Sequence, residues 1–350
     1  MQIKKNYRWD IQGLRALAVL AVVIFHIAPN RLPGGYLGVD IFFVISGYLI
    51  IGFICRDVFA EKFNFTDFYV KRIKRLFPAL FATVIATSIC TYFLLLPEET
   101  IVFAKSVIST LLYVSNMFFY TQSDYFAADL ELAPLLHTWS LSVEEQFYIL
   151  FPVLLVAIIK FRPRYLQRAL ITIAIVSLLA LNIHKMGLSK LTSNIMGVIG
   201  MLSLIACLFT YHEETVFPGI NAILPTLATL LVIWAGSAPS AFSRLMALPI
   251  NRFFGNISYS LYLWHWPVIV FYSLAINNDY SRMTNNFIVL IISITLGYIS
   301  WKYIELPFSK KRSQATNRKT LITTLSASAV VCSVMIISLN GLPHRFNEQQ

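Results

Sequence analysis

Ile11-Gln-Gly-Leu-Arg15-Ala-Leu-Ala-Val-Leu20-Ala-Val-Val-Ile-Phe25-His26-Ile-Ala-Pro29 is apolar throughout except at Gln12, Arg15 and His26. A run of this length, at about 1.5 Å of rise per residue, crosses a hydrocarbon core about 30 Å thick as one helix. The pattern recurs near 35–54, 76–96, 101–120, 141–159, 169–184, 194–211, 220–236, 254–276, 285–304 and 320–339, which makes eleven segments with the first. The 350 residues are 57% hydrophobic and only 13% charged, with a mean hydropathy of +0.68. A soluble globule carries about a quarter of its residues charged, so lipid is the solvent this chain is written for. In lipid a helix satisfies its own backbone groups. The expected fold class is therefore all-α: a polytopic transmembrane helix bundle of about ten spans plus a re-entrant or interfacial segment. Residues 1–340 form its transmembrane domain and 341–350 a short tail. The first run carries Arg15 and His26 and is followed by more spans, so it reads as an uncleaved first helix and not as a signal peptide.

The formal charge of +11 invites a nucleic-acid reading, but the basic residues sit in short connections. They are Lys4, Lys5 and Arg8; Lys71, Arg72, Lys74 and Arg75; Lys160 to Arg168; and Lys310 to Lys319. That is the positive-inside distribution, which marks these four clusters as cytoplasmic and argues against a nucleic-acid partner. They also suit lipid headgroups or an anionic cytoplasmic ligand. Cys55, Cys90, Cys207 and Cys332 stand singly in or beside apolar runs, without metal-like spacing or a disulfide framework.

Cytoplasmic markers must be separated by an even number of crossings. The hairpin 11–54 satisfies this. Three segments lie between 75 and 160, so one should not cross; 101–120, with Lys105, Ser106, Ser109, Ser115 and Asn116, is the expected re-entrant or interfacial piece. Five segments lie between 168 and 310, again an odd number. With 169–184 drawn as a crossing, Lys190 falls on the outer side.

Arg15 and His26 are eleven residues apart, about 16 Å of rise and about 20° from a whole number of turns, so they share one helix face at two depths. Intramembrane ionisable groups are costly and mark candidate sites; the plainer reading is a snorkelling arginine with a structural histidine. A histidine accepts a hydroxyl proton near neutral pH, as acyl transfer to an alcohol requires. Leu32-Pro-Gly-Gly-Tyr-Leu-Gly-Val-Asp40 turns the chain back and sets Asp40 and Ser46 in or beside the second helix. Asp40 is a candidate to orient a histidine or bind an arginine, or else a helix-start carboxylate favoured by the dipole. Lys71, Arg72 and Arg75 are candidate phosphate ligands or simply a topology signal. In His137-Thr-Trp-Ser-Leu-Ser-Val-Glu-Glu145 the Ser142 and Glu145 spacing fits a capping box. That leaves Glu144 as the functional candidate. Ser258, Tyr259 and His265 are further candidates, with a hydrogen-bonded interior histidine the plainer reading of His265. Glu305 is expected to pair with the Lys and Arg residues after it.

Together these motifs resemble the membrane-bound acyltransferase family 3. The residues that carry the resemblance are Arg15 and His26 as R-x10-H; Gly34 to Leu49; Lys71-Arg72-x-x-Arg75; Trp139-Ser-Leu-x-x-Glu144; and Ser258-Tyr-Ser-x-Tyr-x-Trp-His-Trp-Pro267. Asp124-Tyr-Phe126 and Pro134-Leu-Leu-His-Thr-Trp139 look like the bacterial branch that O-acetylates lipopolysaccharide and related surface glycans. Members of that branch often continue through a Gly-Leu-Pro-x-Arg-like linker into a periplasmic SGNH-type domain, whereas this sequence ends at Gln350 inside such a linker. They also usually carry, before the segment matching 194–211, a helix opening with Arg-x-Trp-Glu, which has no counterpart between Asn182 and Asn194. A member without that domain and that helix is expected.

The resemblance implies that acetyl-CoA or another acyl-CoA binds from the cytoplasm, with its phosphates near Lys71, Arg72, Arg75 and Arg15. His26 receives or activates the acyl group, with Asp40 and Glu144 as its catalytic partners, and no metal takes part. The acceptor is a hydroxyl of a periplasmic or lipid-linked glycan such as lipopolysaccharide O-antigen, and the location is the bacterial inner membrane. A glycan or lipid transporter and an inactive acyltransferase remnant are the alternative readings.

Overall fold

The computed structural model describes residues 8–122, 132–161, 189–212, 214–276 and 283–309, together with Val331. The expected segments 169–184 and 320–339, the stretch 124–126, Lys4, Lys5, the basic residues of 162–168 and 310–319, Cys332 and the tail 341–350 lie outside the described residues. All regular structure among the described residues is helical. In chain order the helices are α1 (Trp9–Ile27), α2 (Gly38–Phe59), α3 (Phe65–Leu94), α4 (Pro97–Leu111), α5 (Ser115–Gln122) and α6 (Thr138–Phe161). They continue with α7 (Lys190–Thr210), α8 (Ile223–Ala235), α9 (Ala241–Met246), α10 (Pro249–Ala275) and α11 (Met283–Ser300), which runs through a π-helical turn at Trp301–Glu305. Among the described residues six segments are long and apolar enough to cross a membrane: α1, Gly35–Phe59, α3, Thr138–Ala157, α7 and Met283–Ser309. The 27-residue α10 is long enough, but it turns Ser258, Ser260 and His265 into fully buried positions, and these lower its apolar character.

The helices fall into two compact units, residues 1–63 with 148–258 and residues 64–147 with 259–350. In the first unit α1 packs against α2, α8 and α9 around Ile11, Leu14, Ala18, Ile41, Ile45, Leu204 and Val232. Lipid tails compete equally for apolar surface, so close van der Waals fit and small residues must hold such helices together. A Cβ on Gly255 would overlap the carbonyl oxygen of Gln12, so the start of α10 touches α1 backbone to backbone. At the same end Arg8 donates to both oxygens of Asp10 at 2.9 and 2.6 Å, to Tyr48 Oη at 3.0 Å and to the Ile233 carbonyl at 2.7 Å. Burial works against the Arg8 charge, but the bonds and field of Asp10 outweigh it and hold the guanidinium above its ordinary range. The start of α7 joins this end: Ser193 Oγ donates to the Ala235 carbonyl at 2.8 Å, and Phe242 N–H donates to Asn194 Oδ1 at 3.0 Å. At the opposite end the Gly34 N–H donates to the Leu208 carbonyl at 2.9 Å. A side chain on Gly34 would overlap Cys207.

Lys190 therefore stands at the same end of this unit as Arg8. The segment 169–184, on which the expected outer placement of Lys190 rests, lies outside the described residues.

In the second unit α3 begins at Phe65, where the Asn64 side chain accepts from the Asp67 N–H at 3.2 Å, so the basic cluster lies inside the helix and not at its start. Segment 101–120 is a hairpin of two short helices. α4 follows the C-terminal end of α3, and the chain breaks at Leu112–Val114 with Tyr113 in the left-handed region (φ 56°). The Tyr113 ring packs edge-on against Phe77, 5.7 Å between centroids. α5 then returns toward Ala133, against which Phe119 packs. Side chains of α6 satisfy the backbone freed at the break: Gln146 Nε2 donates to the Tyr113 carbonyl at 2.8 Å, and Ser142 Oγ accepts from the Ser115 N–H at 3.2 Å. Such shielding is what a break within the bilayer needs. The segment expected to be re-entrant or interfacial consists of these two short helices.

Candidate functional site

The first unit holds Arg15, His26 and Asp40. Arg15 lies two turns into α1, half-buried, with Gln12 Oε1 at 3.5 Å. His26 lies in the last turn of the same helix, half-buried, its ring 5.3 Å from that of Phe25. One continuous helix thus carries both groups, Arg15 toward the end marked by Arg8 and His26 at the end where the chain turns. Two short 3-10 turns, Pro29–Arg31 and Gly35–Leu37, fold that connection back so that Gly38 meets the Ala18 carbonyl. Asp40 follows in the first turn of α2, half-buried, where the helix dipole favours a carboxylate. Ser46 accepts a 2.8 Å bond from Tyr148 Oη, which ties α2 to α6.

The second unit holds Lys71, Arg72, Arg75 and Glu144. Lys71 is exposed; Arg72 and Arg75 are half-buried, and Arg72 lies over the Phe68 ring at 5.7 Å. Arg72, Arg75 and Glu144 all act electrostatically on Glu145, so the structure gathers the two arginines of α3 and the two carboxylates of α6 into one cluster. Tyr113 and Tyr259 border it, and Tyr259 Oη donates to the Leu76 carbonyl at 2.9 Å.

The capping-box reading of Ser142 and Glu145 is corrected here. α6 begins at Thr138, so Ser142 is already inside it, and its hydroxyl bonds Ser115 at the start of α5. Glu145 caps nothing and is buried. Placing the helix start four residues earlier in the sequence would have revealed this.

His265 is fully buried with Nδ1 2.6 Å from the Tyr262 carbonyl, the interior hydrogen-bonded histidine that was expected. His137, which the sequence did not single out as a candidate, packs its ring 5.5 Å from those of Tyr262 and His265. Tyr262 Oη donates to the His137 carbonyl at 2.9 Å and bonds Ser140 Oγ at 2.6 Å, which pins the start of α6 to α10. Ser258 Oγ is turned onto the Gly255 carbonyl within its own helix. Glu305 accepts from Ser260 Oγ at 2.8 Å; the basic residues expected to pair with it lie outside the described residues. Among the described residues there is no group of three or more metal-ligating side chains.

The acyltransferase domain profile of acyltransferase family 3 matches residues 8–197, more than half of the chain. The O-acetyltransferase OatA of Staphylococcus aureus strain NCTC 8325 is 32% identical over 360 residues, covering 89% of this chain and 58% of that protein. A protein of Staphylococcus aureus strain MSSA476 named as a candidate O-acetyltransferase is 30% identical over 392 residues, covering 99% of this chain and 64% of that protein. The chain thus spans about three fifths of the length of the curated relatives it matches. No solved structure matches it. The matched segment contains Arg15, His26, Asp40, Arg72, Arg75 and Glu144, and the chain belongs to the membrane-bound acyltransferase family 3.

Proposed function

We propose that this chain is an O-acyltransferase that moves an acyl group, acetyl in the first instance, from cytoplasmic acyl-CoA to a glycan hydroxyl. The observation that carries this reading is the placement of Arg15 and His26 on one helix of an acyltransferase-family chain, with His26 at the end away from Arg8. Their separation, about 16 Å, matches the reach of an extended pantetheine arm. The names of the two Staphylococcus relatives support acetyl as the group and oxygen as the acceptor atom.

In this reading His26 takes the proton of the acceptor hydroxyl as its oxygen attacks the thioester carbonyl; the carbon–sulfur bond breaks and the CoA thiolate leaves with a proton. Transfer through an acyl-histidine takes two stages: a His26 nitrogen first displaces the CoA thiolate from the acyl carbon, and the acceptor oxygen, losing its proton, then displaces the histidine nitrogen. Arg15, Lys71, Arg72 and Arg75 serve the donor phosphates, for which a guanidinium fork is well shaped. Asp40 and Glu144 orient the histidine and the acceptor. The acceptor is a periplasmic or lipid-linked saccharide such as lipopolysaccharide O-antigen, and the enzyme works in the bacterial inner membrane among anionic lipids.

The test is expression in a host whose surface glycan is unacetylated, with O-acetyl groups measured for the wild type and for His26→Ala. Acetylation by the wild type and a fall of at least about a hundredfold in the variant are expected, the scale of a lost general base. Equal acetylation by both removes His26 from the reaction. None from either protein means that this chain is not an active transferase for that glycan.

A further inference from the structure

Glu145 is a buried carboxyl group to which the proposed reaction gives no task. Its side chain is only 6% exposed, and among the described residues its Oε1 has no hydrogen-bond partner. It lies in the field of Arg72 and Arg75. A dry carboxylate oxygen without a donor is costly, and a chain keeps one where a donor arrives from elsewhere. The surroundings are those of a ligand site. The α4–α5 hairpin breaks at Leu112–Val114 beside α6, with left-handed backbone at Tyr113, and broken helices within a bilayer commonly line binding sites. Gln146 and Asn116 bond one another at the same break, at 2.9 Å. Tyr259 lies near it, in the field of both Tyr113 and Glu145, with its hydroxyl on the Leu76 carbonyl of α3.

We propose that Glu145 is a ligand-binding residue: its unpaired oxygen accepts a hydrogen bond from an amide N–H or hydroxyl of a phosphorylated ligand whose phosphates engage Arg72 and Arg75. The inference rests on the reading of acyl-CoA as donor, since CoA carries phosphates at one end and amide and hydroxyl donors along its arm. A carboxylate alone would repel phosphate, and arginines alone would accept any phosphate. The two together select a ligand that carries both chemistries.

The experiment measures the affinity of the full chain in detergent for two probes, CoA and adenosine 3′,5′-bisphosphate, which lacks the arm. Glu145→Met is expected to weaken CoA binding about tenfold, the scale of a lost buried hydrogen bond, and to leave the bisphosphate within about twofold. Glu145→Gln, which keeps the shape and one acceptor oxygen, is expected to fall between wild type and Glu145→Met. It carries the comparison if the methionine variant does not fold. Arg72→Ala with Arg75→Ala is expected to weaken both probes. Unchanged CoA affinity in the Glu145 variants overturns the inference, and so does equal weakening of both probes, which would mean that Glu145 acts only by holding the arginines. A wild-type chain that binds no CoA overturns the donor reading and this inference with it.

Discussion

Asp10 occupies the first turn of α1, where the positive end of the helix dipole favours a carboxylate, and it takes two bonds from Arg8. Its neighbour Gly236 leaves no room for a side chain, since a Cβ there would overlap the carboxylate. Asp10→Ala leaves Arg8 charged with Tyr48 Oη and the Ile233 carbonyl as its remaining acceptors among the described residues. Losing one partner of a buried pair costs about 3–5 kcal/mol. A quarter of the Arg8 side chain remains exposed, so about 2–3 kcal/mol is expected here. The measurement is thermal unfolding of the purified protein in detergent, in which Asp10→Ala should lower the midpoint. The double variant Arg8→Met with Asp10→Leu should recover part of the loss, because a paired charge replaced by apolar groups is often nearly neutral. A double variant as unstable as the sum of both singles would refute this account.

At the scale of elements the hairpin α4–α5 hangs on a few hydroxyls. Thr110 Oγ1 and Thr138 Oγ1 are 2.8 Å apart, and Ser142 Oγ bonds both Ser115 Oγ and the Ser115 N–H. Ser142→Ala strips the start of α5 of its cap and is expected to cost about 1–2 kcal/mol, with faster protease nicking between α4 and α5 as the second readout. Ser142→Thr should restore most of it. The same serine shows what was legible in the sequence. Helix existence was readable because lipid imposes long apolar runs, and nine of the eleven segments coincide with described helices. Helix ends were not. α3 begins at Phe65 because its first turns are amphipathic and project past the apolar run, and α6 begins at Thr138. Arg15 and His26 were legible because one helix relates them. The surroundings of Glu145 were not, because its partners come from α3 and only folding brings Arg72 and Arg75 to it.

For the whole molecule the unsettled quantity of the sequence was the number of crossings after residue 168. From Lys190, at the Arg8 end of its unit, α7 leads away and α8 returns to Asp10 and Arg8. α10 starts at that end, where Arg252 lies over the Trp9 ring at 4.4 Å, and α11 follows it. Counted as four crossings, these helices would bring the chain back to the side of Lys190, as the basic cluster 310–319 requires. On that count the odd number of expected segments after residue 168 is carried by 169–184. The match to the strain MSSA476 relative runs over 392 positions against a chain of 350 residues, so at least 42 positions of that relative have no counterpart here. The prediction is one of sidedness. In a version with Cys55, Cys90, Cys207 and Cys332 replaced, Lys190→Cys should react with an impermeant maleimide only after the cells are opened. His212→Cys, just beyond the other end of α7, should react in intact cells. Labelling of Lys190→Cys in intact cells would make 169–184 a true crossing, reverse α7 and α8, and detach the Arg8 and Asp10 cluster from the cytoplasmic face that the basic residues assign to it.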